Sequence, residues 1–251
     1  MNFSGVSART LAGRLLRWPL QLVPRDMIVP IVQGKLRGKK WVVGSGNHGC
    51  WLGSYEFPKQ ALFVKTIQPG SVVFDIGAHV GYYTLLAAEL VGQSGQVYAF
   101  EPLPRNLGYL RKHIQFNHYQ NVRVLPVAVG AESGTGFFAE GSDSSTGHLN
   151  GTAGLSVPVI ALDDLVAKRE ILCPDYMKVD VEGAELQVLL GALSILQTRQ
   201  PTIFLATHSR DLHQGCCELL GKLGYQLHPI GKDKLSETDE ILAESVKGDK
   251  P

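Results

Sequence analysis

The residues best suited to chemistry lie at the ends of two short apolar runs. In VVFDIGAHVGYYT, from Val72 to Thr84, the first run ends at Asp75, and Gly77, Gly81 and a helical stretch follow. This pattern predicts a buried strand that turns into a helix through a loop whose glycines let the backbone approach a ligand closely. The second run, QVYAF, ends at Glu101, twenty residues past Gly81.

This spacing predicts a nucleoside-binding site of a particular kind. An acid at the tip of the second strand of a doubly wound sheet typically binds ribose, so we expect Glu101 to take both ribose hydroxyls. Asp75 stands where a dinucleotide fingerprint has its first glycine, and G-x-G-x-x-G is absent. A carboxylate there repels a pyrophosphate and suits a cationic group, which indicates S-adenosylmethionine as the cofactor. Taken singly, these features also fit a tight turn, a helix cap and a solvated strand end.

Composition favours a globular protein. The chain has 251 residues, 44% of them hydrophobic and 19% charged, which suits one large domain or two small ones. Its apolar runs are shorter than the roughly 20 residues that a membrane span needs. The four cysteines form no C-x-x-C pair, so we expect reduced thiols in a cytoplasmic protein. The histidines show no H-x-x-x-H spacing, so no bound metal is expected.

Positive charge is concentrated at the start of the chain. The whole chain carries +1, but residues 1–50 contain eight Lys or Arg and one acid, Asp26, which gives +7 there and −6 elsewhere. This distribution argues against nucleic-acid binding by the main domain. The basic segment suits a solvated arm or helix better than contact with an anionic membrane. Its first residues lack the apolar region of a signal peptide, so none is expected.

Strand and helix patterns alternate from residue 72 onward. Strands are predicted near 72–76, 96–100, 122–128, 176–180, 202–206 and 225–230, and helices near 80–91, 104–117, 183–192 and 211–222. Regular alternation predicts an α/β fold whose parallel sheet is covered on both faces. The Gly-, Ser- and Thr-rich segment 134–158 interrupts this rhythm. It predicts an inserted hairpin and loop over the C-terminal edge of the sheet, where loops line active sites.

The N-terminal part is expected to form a smaller unit. Residues 7–23 fit an amphipathic segment, residues 34–43 fit a hairpin, and a helix is expected from Pro58 onward. We therefore predict a basic N-terminal extension, 1–57, that packs on a main domain, 58–251, which carries the insertion.

One more element makes a family resemblance specific. YMKVDVEGAELQVLLGA, from Tyr176 to Ala192, places Asp180, Glu182 and Gly183 between a strand and a helix. Together with VVFDIGAHVGYYT and VYAFEP, it resembles the signature of the FkbM family of S-adenosylmethionine-dependent methyltransferases. The resemblance covers about residues 50–206. It implies the class I methyltransferase fold, a Rossmann-like, doubly wound, mostly parallel sheet of seven strands. The last strand of that sheet is antiparallel, and EILAES is its candidate here.

The resemblance also implies roles around the cofactor. Asp75 would hold the methionine ammonium, directly or through a water, while Gly77 and Gly81 give the cofactor room. His79 stands where family members often have Asn, and both side chains can donate a hydrogen bond. Thr84, in the first turn of a helix, would bond the methionine carboxylate or serve helix packing.

Further contacts would come from two other segments. Val127 and Ala128, which end the third strand, would flank adenine or belong to the core. Tyr55 and Glu56 lie in WLGSYE, a segment similar to the lead-in known in the family, and would close over the methionine end.

Two residues are candidates for taking a proton from the acceptor. Asp180 follows a strand that faces the ligand crevice, so it would hold the cofactor's amine or act on the substrate. His208 stands where many family members carry an acid. Imidazole titrates near neutrality, so His208 is either a general base or a structural histidine. Glu182 would either serve the site or cap or start a helix. Glu185 is expected to be structural, and His148 is a further candidate base in the insertion.

The reaction implied by the resemblance is methyl transfer to an oxygen of a sugar or natural-product small molecule. A nitrogen acceptor is one alternative, and a non-catalytic nucleotide-binding module with the same fold is another. The missing G-x-G-x-x-G argues against a nicotinamide-dependent oxidoreductase.

Overall fold

The computed structural model describes residue 20 and residues 22–139, 148–149 and 154–245. Its N-terminal part contains strands β1 (Ile28–Pro30) and β2 (Lys40–Val42), which pair antiparallel, and helices α1 (His48–Leu52) and α2 (Phe57–Thr66). The helix predicted after Pro58 is therefore confirmed. The amphipathic segment predicted at 7–23 lies outside the described residues, apart from its last few positions.

The hairpin was predicted at 34–43, but the observed hairpin begins earlier in the chain, at Ile28. Its first strand is β1, and residues 31–39 form the connection to β2. Two backbone bonds close this connection, from Ile31 N to Lys39 O and from Gly38 N to Ile31 O, both 2.8 Å long. Gly34 and Gly38 therefore lie in the loop that connects the two strands, and the first strand comes before the predicted segment.

The remaining strands follow in chain order. They are β3 (Val72–Ile76), β4 (Gln96–Phe100), β5 (Val122–Leu125), β6 (Ala128–Val129), β7 (Gly134–Ala139), β8 (His148–Leu149), β9 (Leu155–Ile160), β10 (Tyr176–Val179), β11 (Thr202–Ala206), β12 (Tyr225–Pro229) and β13 (Glu240–Ser245). Among the described residues, the main sheet has seven strands in the order β12-β13-β11-β10-β3-β4-β5. Only β13 runs antiparallel to its neighbours, β11 and β12. The predicted mostly parallel sheet with an antiparallel last strand is confirmed.

The helices of this part cover both faces of the sheet. They are α3 (Tyr82–Val91), α4 (Pro104–Phe116), α5 (Leu162–Ala167), α6 (Glu185–Leu190), α7 (Leu193–Thr198) and α8 (Arg210–Lys222). The helix predicted at 183–192 is shorter than expected, and α5 and α7 were not predicted. Within the described part of the chain, no helix is long and apolar enough to cross a membrane.

Alternate residues of each central strand enter different cores. In β3, Phe74 and Ile76 pack with α5 to α8, whereas Val73 packs with α2 and α3. All three are buried. Each such side chain contributes about 1.5–3 kcal/mol on burial, so packing on both faces fixes the strand and the position of its end.

A second, four-stranded sheet has the order β6-β9-β7-β8. In the region of the predicted insertion, β7 and β9 pair antiparallel from Gly134 opposite Val159 onward, and the insertion into the main domain stays a prediction. The prediction of a single strand at 122–128 is wrong. Pro126 has no N–H for a sheet ladder, so the run divides into β5 in the main sheet and β6 in the small one.

The N-terminal hairpin packs on α4 through His113. The Trp41 ring stacks on the imidazole at 3.9 Å between centroids. Val42 N donates to His113 Nε2 at 3.1 Å, and His113 Nδ1 lies 2.8 Å from the carbonyl oxygen of Val80, to which it donates. Burial lowers the pKa of His113 to about 4, so this fully buried ring is neutral. The division of the chain at residue 57 stays a prediction.

Candidate active site

A cavity of about 470 Å³ lies at the carboxyl ends of the parallel strands. Loops that follow β3, β4, β10 and β11 line it, as do residues from the N-terminal hairpin to α2. A cavity of this size suits a small-molecule ligand, and strand ends are where open α/β sheets bind one. Of the residues predicted from the sequence, it brings together Tyr55, Glu56, Gly77, His79, Glu101, Val127, Ala128, Asp180, Glu182 and His208.

The loop after β3 has a backbone that favours glycine. The φ angles of Gly77, His79 and Gly81 are +74°, +52° and +97°. A Cβ atom on Gly77 would lie 1.9 Å from the carbonyl oxygen of Asp180, so glycine lets the loops after β3 and β10 touch. On Gly81, a Cβ would lie 2.6 Å from Leu110 Cδ1. Close packing thus explains both glycines, and their service to a cofactor stays a prediction.

Glu101 is anchored by the same loop. Its Oε2 accepts a hydrogen bond from His79 N at 2.8 Å, and its Oε1 accepts from Leu103 N at 2.9 Å and Asn106 Nδ2 at 3.2 Å. Burial raises the pKa of Glu101, and these hydrogen bonds oppose the rise. They use three of about four lone-pair positions of the carboxylate, so capacity remains on Oε2 for a ligand hydroxyl.

Asn106 supplies a second acceptor beside Glu101, one that sequence reasoning missed. It is buried in α4 and lines the cavity. Its Nδ2 is taken by Glu101, while its Oδ1 has no hydrogen-bond partner among the described residues. Because an unpaired buried acceptor costs about 1–3 kcal/mol, a ligand that donates a hydrogen bond here would be favoured.

Asp75 lies behind the cavity wall. Thr84 Oγ1 donates to its Oδ2 at 2.5 Å, and Lys178 Nζ lies 3.3 Å from its Oδ1. Neither Asp75, Thr84 nor Gly81 lines the cavity, so their contacts with a ligand stay predictions. The observed contacts instead make Asp75 a partner of Lys178, a buried lysine of β10 that the sequence did not single out.

Two buried lysines hold Asp180 from one side. Lys59 Nζ lies 3.6 Å and Lys178 Nζ 3.7 Å from its Oδ2. Lys59 also contacts Glu56 Oε2 at 2.7 Å and Glu240 Oε1 at 2.6 Å. Burial opposes ionisation of Asp180, but the lysines and His208 outweigh it and hold its pKa below the ordinary value. Asp180 is therefore ionised near neutral pH.

The segment before α2 forms another part of the wall. Glu56 precedes α2 with a φ of +44°, and Tyr55 packs edge-on against Tyr82 at 5.3 Å between ring centroids. Burial raises the pKa of Tyr55 far above its ordinary value, so its phenol is neutral. Closure of these residues over the methionine end stays a prediction.

His208 stands on the other side of Asp180. Its Nε2 lies 3.3 Å from Glu182 Oε2 and 3.7 Å from Asp180 Oδ1, and its Nδ1 lies 2.6 Å from Glu185 Oε1. The bond to Glu185 and the nearby carboxylates raise the pKa of His208, and burial opposes them. Glu182 does not begin α6, which starts at Glu185. With a φ of +55°, it lies in the preceding turn, where its carboxylate faces His208.

Three of these side chains have a spacing that suits a metal ion. Ligand atoms of Asp180, Glu182 and His208 lie within 4.8 Å of one another. However, Lys59 and Lys178 already supply positive charge beside Asp180. The arrangement fits a histidine paired with carboxylates better than a cation site. His148 lies in β8, and its side chain is outside the described residues.

Comparisons with known proteins identify a methyltransferase family. The model described as Methyltransferase FkbM domain matches residues 75–227. The chain is 30% identical over 211 residues to 31-O-demethyl-FK506 methyltransferase FkbM of Streptomyces tacrolimicus, covering 70% of this chain and 78% of the relative. It is 29% identical over 141 residues to hexuronic acid methyltransferase AglP of Haloferax volcanii, covering 55% of this chain and 56% of the relative.

A solved structure shows the same fold. The crystal structure of methyltransferase FkbM from Methylobacillus flagellatus KT matches with a TM-score of 0.53 at 15% identity, over 79% of this chain and 55% of that one. The chain thus spans little more than half the length of AglP and of this structure.

Proposed function

The chain belongs to the methyltransferase FkbM domain family and is an S-adenosylmethionine-dependent methyltransferase; we propose that it methylates a hydroxyl of a sugar or natural-product small molecule. The names of two relatives support this acceptor class, since one acts on 31-O-demethyl-FK506 and the other on a hexuronic acid. The observation that carries the proposal is one cavity that joins Glu101 to His208.

The residues around Glu101 fit the nucleoside end of the cofactor. Glu101 Oε2 and Asn106 Oδ1 are neighbouring acceptors, and ribose hydroxyls or an adenine amine are donors that would satisfy them. Phe100 and Ala128 line the same cavity and offer apolar surface for a base. When bound, S-adenosylmethionine supplies the electrophilic methyl group. Holding the acceptor oxygen in line with that group then provides much of the rate.

His208 is the better of the two candidate bases. The lysines keep Asp180 ionised with a low pKa, so it holds a proton weakly. The pKa of His208 is raised, so its neutral form takes up a proton more readily than an unperturbed imidazole. In this assignment Nε2 of His208 receives the acceptor proton, while Asp180 orients the groups around it.

A screen of candidate hydroxyl acceptors with methyl-labelled cofactor tests the proposed function. We expect transfer to oxygen, and Kd for the cofactor should rise roughly 10- to 100-fold in Glu101→Gln, which loses a charge-assisted bond of about 1.5–3 kcal/mol. Glu218→Gln, an exposed position in α8, is the control and should bind normally.

Three results would contradict the proposal. Transfer only to amines would favour a nitrogen acceptor. Tight cofactor binding without turnover on any acceptor would favour the non-catalytic module. Unchanged cofactor affinity in Glu101→Gln would remove the assignment of the ribose end.

A further inference from the structure

A fully buried carboxylate holds His208 from behind. Glu185, the first residue of α6, is 0% exposed, and its Oε1 lies 2.6 Å from His208 Nδ1. The same oxygen accepts a hydrogen bond from Gly183 N at 2.9 Å. Its Oε2 is buried and has no hydrogen-bond partner among the described residues.

Such a carboxylate is costly to bury without a partner. Two contacts on Oε1 compensate it, one from Gly183 in the loop that carries Glu182 and one from His208 in the loop after β11. Helix packing alone would be served by an apolar residue at this position, as it is at Val188 in the next turn. The acid in place of an apolar residue therefore calls for a reason outside packing, and the imidazole that it contacts provides one.

We propose that Glu185 is a positioning residue, which holds His208 in the orientation and tautomer from which Nε2 takes the acceptor proton. With a proton on Nδ1 donated to Glu185, the lone pair of the neutral ring is on Nε2, which faces Asp180 and Glu182 across the cavity. The proton moves from the acceptor oxygen to Nε2, and the O–H electron pair stays on the oxygen. As that oxygen bonds the methyl carbon, the methyl–sulfur bond of the bound cofactor would break, and its electron pair would stay on the sulfur, which leaves as a neutral thioether. This inference rests on the proposed function.

Several charged groups surround the imidazole. Glu185 faces it from α6, and Asp180 and Glu182 face it from the loop after β10. Lys59 and Lys178 lie behind Asp180 and contact its other oxygen. The three carboxylates stabilise the imidazolium that forms in the step, and Glu185 is the one that contacts Nδ1.

Glu185→Gln separates positioning from a purely structural role. Gln keeps the size of the side chain and an oxygen that can accept from Gly183 N, but it removes the charge. We expect single-turnover rates between about pH 5 and 9 to inflect roughly one unit lower, with the plateau reduced at least about tenfold. Cofactor Kd should stay within about twofold of wild type. The control Glu218→Gln, exposed on α8, removes a charge without changing the pH profile.

An unchanged inflection and plateau in folded Glu185→Gln would overturn the proposal. So would full recovery of the rate on addition of Mg²⁺ or Mn²⁺, because Asp180, Glu182 and His208 would then serve a cation. If the variant does not fold, the titration and tautomer of His208 can be measured by NMR in histidine-labelled wild type. The spectrum of His208→Gln then assigns the His208 signal. His208 should titrate above about 6.5 with the proton of the neutral form on Nδ1, and the opposite tautomer or a lower pKa would refute the dyad.

The NMR measurement needs no acceptor. A wild-type protein that methylates nothing would refute the proposed function, whereas the state of the His208 ring would still report on its contact with Glu185.

Discussion

Acidification should lower the free energy of unfolding through a single histidine, His113, which joins the N-terminal hairpin to α4. His113 is fully buried between Trp41 and the main domain, and its two ring nitrogens already bond Val42 N and the carbonyl oxygen of Val80. Protonation of Nε2 would place a proton against the N–H of Val42 and a charge in the core. The native state therefore resists protonation far more than the unfolded chain does.

The size of this effect follows from the two pKa values. His113 titrates near 6.5 in the unfolded chain and at about 4 in the folded protein. Above pH 6.5 neither state binds the proton, so there is no penalty. Between these two pKa values only the unfolded state binds the proton. The free energy of unfolding therefore falls by about 1.4 kcal/mol for each unit by which the pH is lowered. The full loss is about 3 kcal/mol, reached below the folded pKa.

Urea unfolding measured at several pH values tests this reasoning. Wild type should lose stability more steeply than His113→Gln between about pH 6.5 and 4.5, with a difference in slope near 1.4 kcal/mol per unit. The variant starts less stable but is less sensitive to acid. His118→Asn is the matched control, since His118 is exposed and has a φ of +58°, which Asn tolerates. Parallel curves for wild type and His113→Gln would refute the assignment of a buried neutral ring.

Two further substitutions probe the frame of the site. Gly77→Ala should lower stability by at least roughly 1–3 kcal/mol and weaken cofactor binding, because its Cβ would collide with the carbonyl oxygen of Asp180 at a φ of +74°. Gly108→Ala in α4, where a Cβ meets nothing within 4 Å, should leave thermal melting unchanged or raise it. Lys178→Met should cost about 3–5 kcal/mol in urea unfolding by leaving Asp75 buried without its ion pair, and adding Asp75→Asn should restore part of the loss. If Lys178→Met were as stable as wild type, the ion pair between Lys178 and Asp75 would not contribute to the free energy of unfolding.

The strands of the main sheet could be predicted because each is a short apolar run bounded by turn residues. β3, β4 and β11 have the predicted bounds, since their side chains are buried on both faces and the apolar run is unbroken. The predicted strand at 122–128 failed because its hydrophobicity continues through Pro126 while its hydrogen bonding does not. An apolar composition indicates that the segment is buried. It does not show that the chain passes from one sheet to the other, because that change follows from the missing N–H of Pro126.

The strand pattern predicted the polar residues of the site where they lie within two positions of a strand end. Glu101 and Asp180 are the first residues after β4 and β10, His208 is the second after β11, and one cavity holds all three. Lys59 and Asn106 lie within helices, where their patterns are those of ordinary helical residues, and tertiary packing brings them to the strand ends. A single sequence contains no local signal for contacts of this kind.

The contact between Lys59 and Glu240 has a consequence for the order in which parts of the protein fold during synthesis. They contact each other at 2.6 Å from positions 181 residues apart, one in α2 and the other at the first residue of β13. A ribosome delivers Lys59 before Glu240, and at roughly 5–20 residues per second the intervening chain takes on the order of 10–40 s to synthesise. Until β13 inserts between β11 and β12, the buried ammonium lacks one of its carboxylates. The enclosure around Asp180 therefore cannot be completed before β13 has been synthesised, and the cavity reaches its final charge balance only when the main sheet is complete.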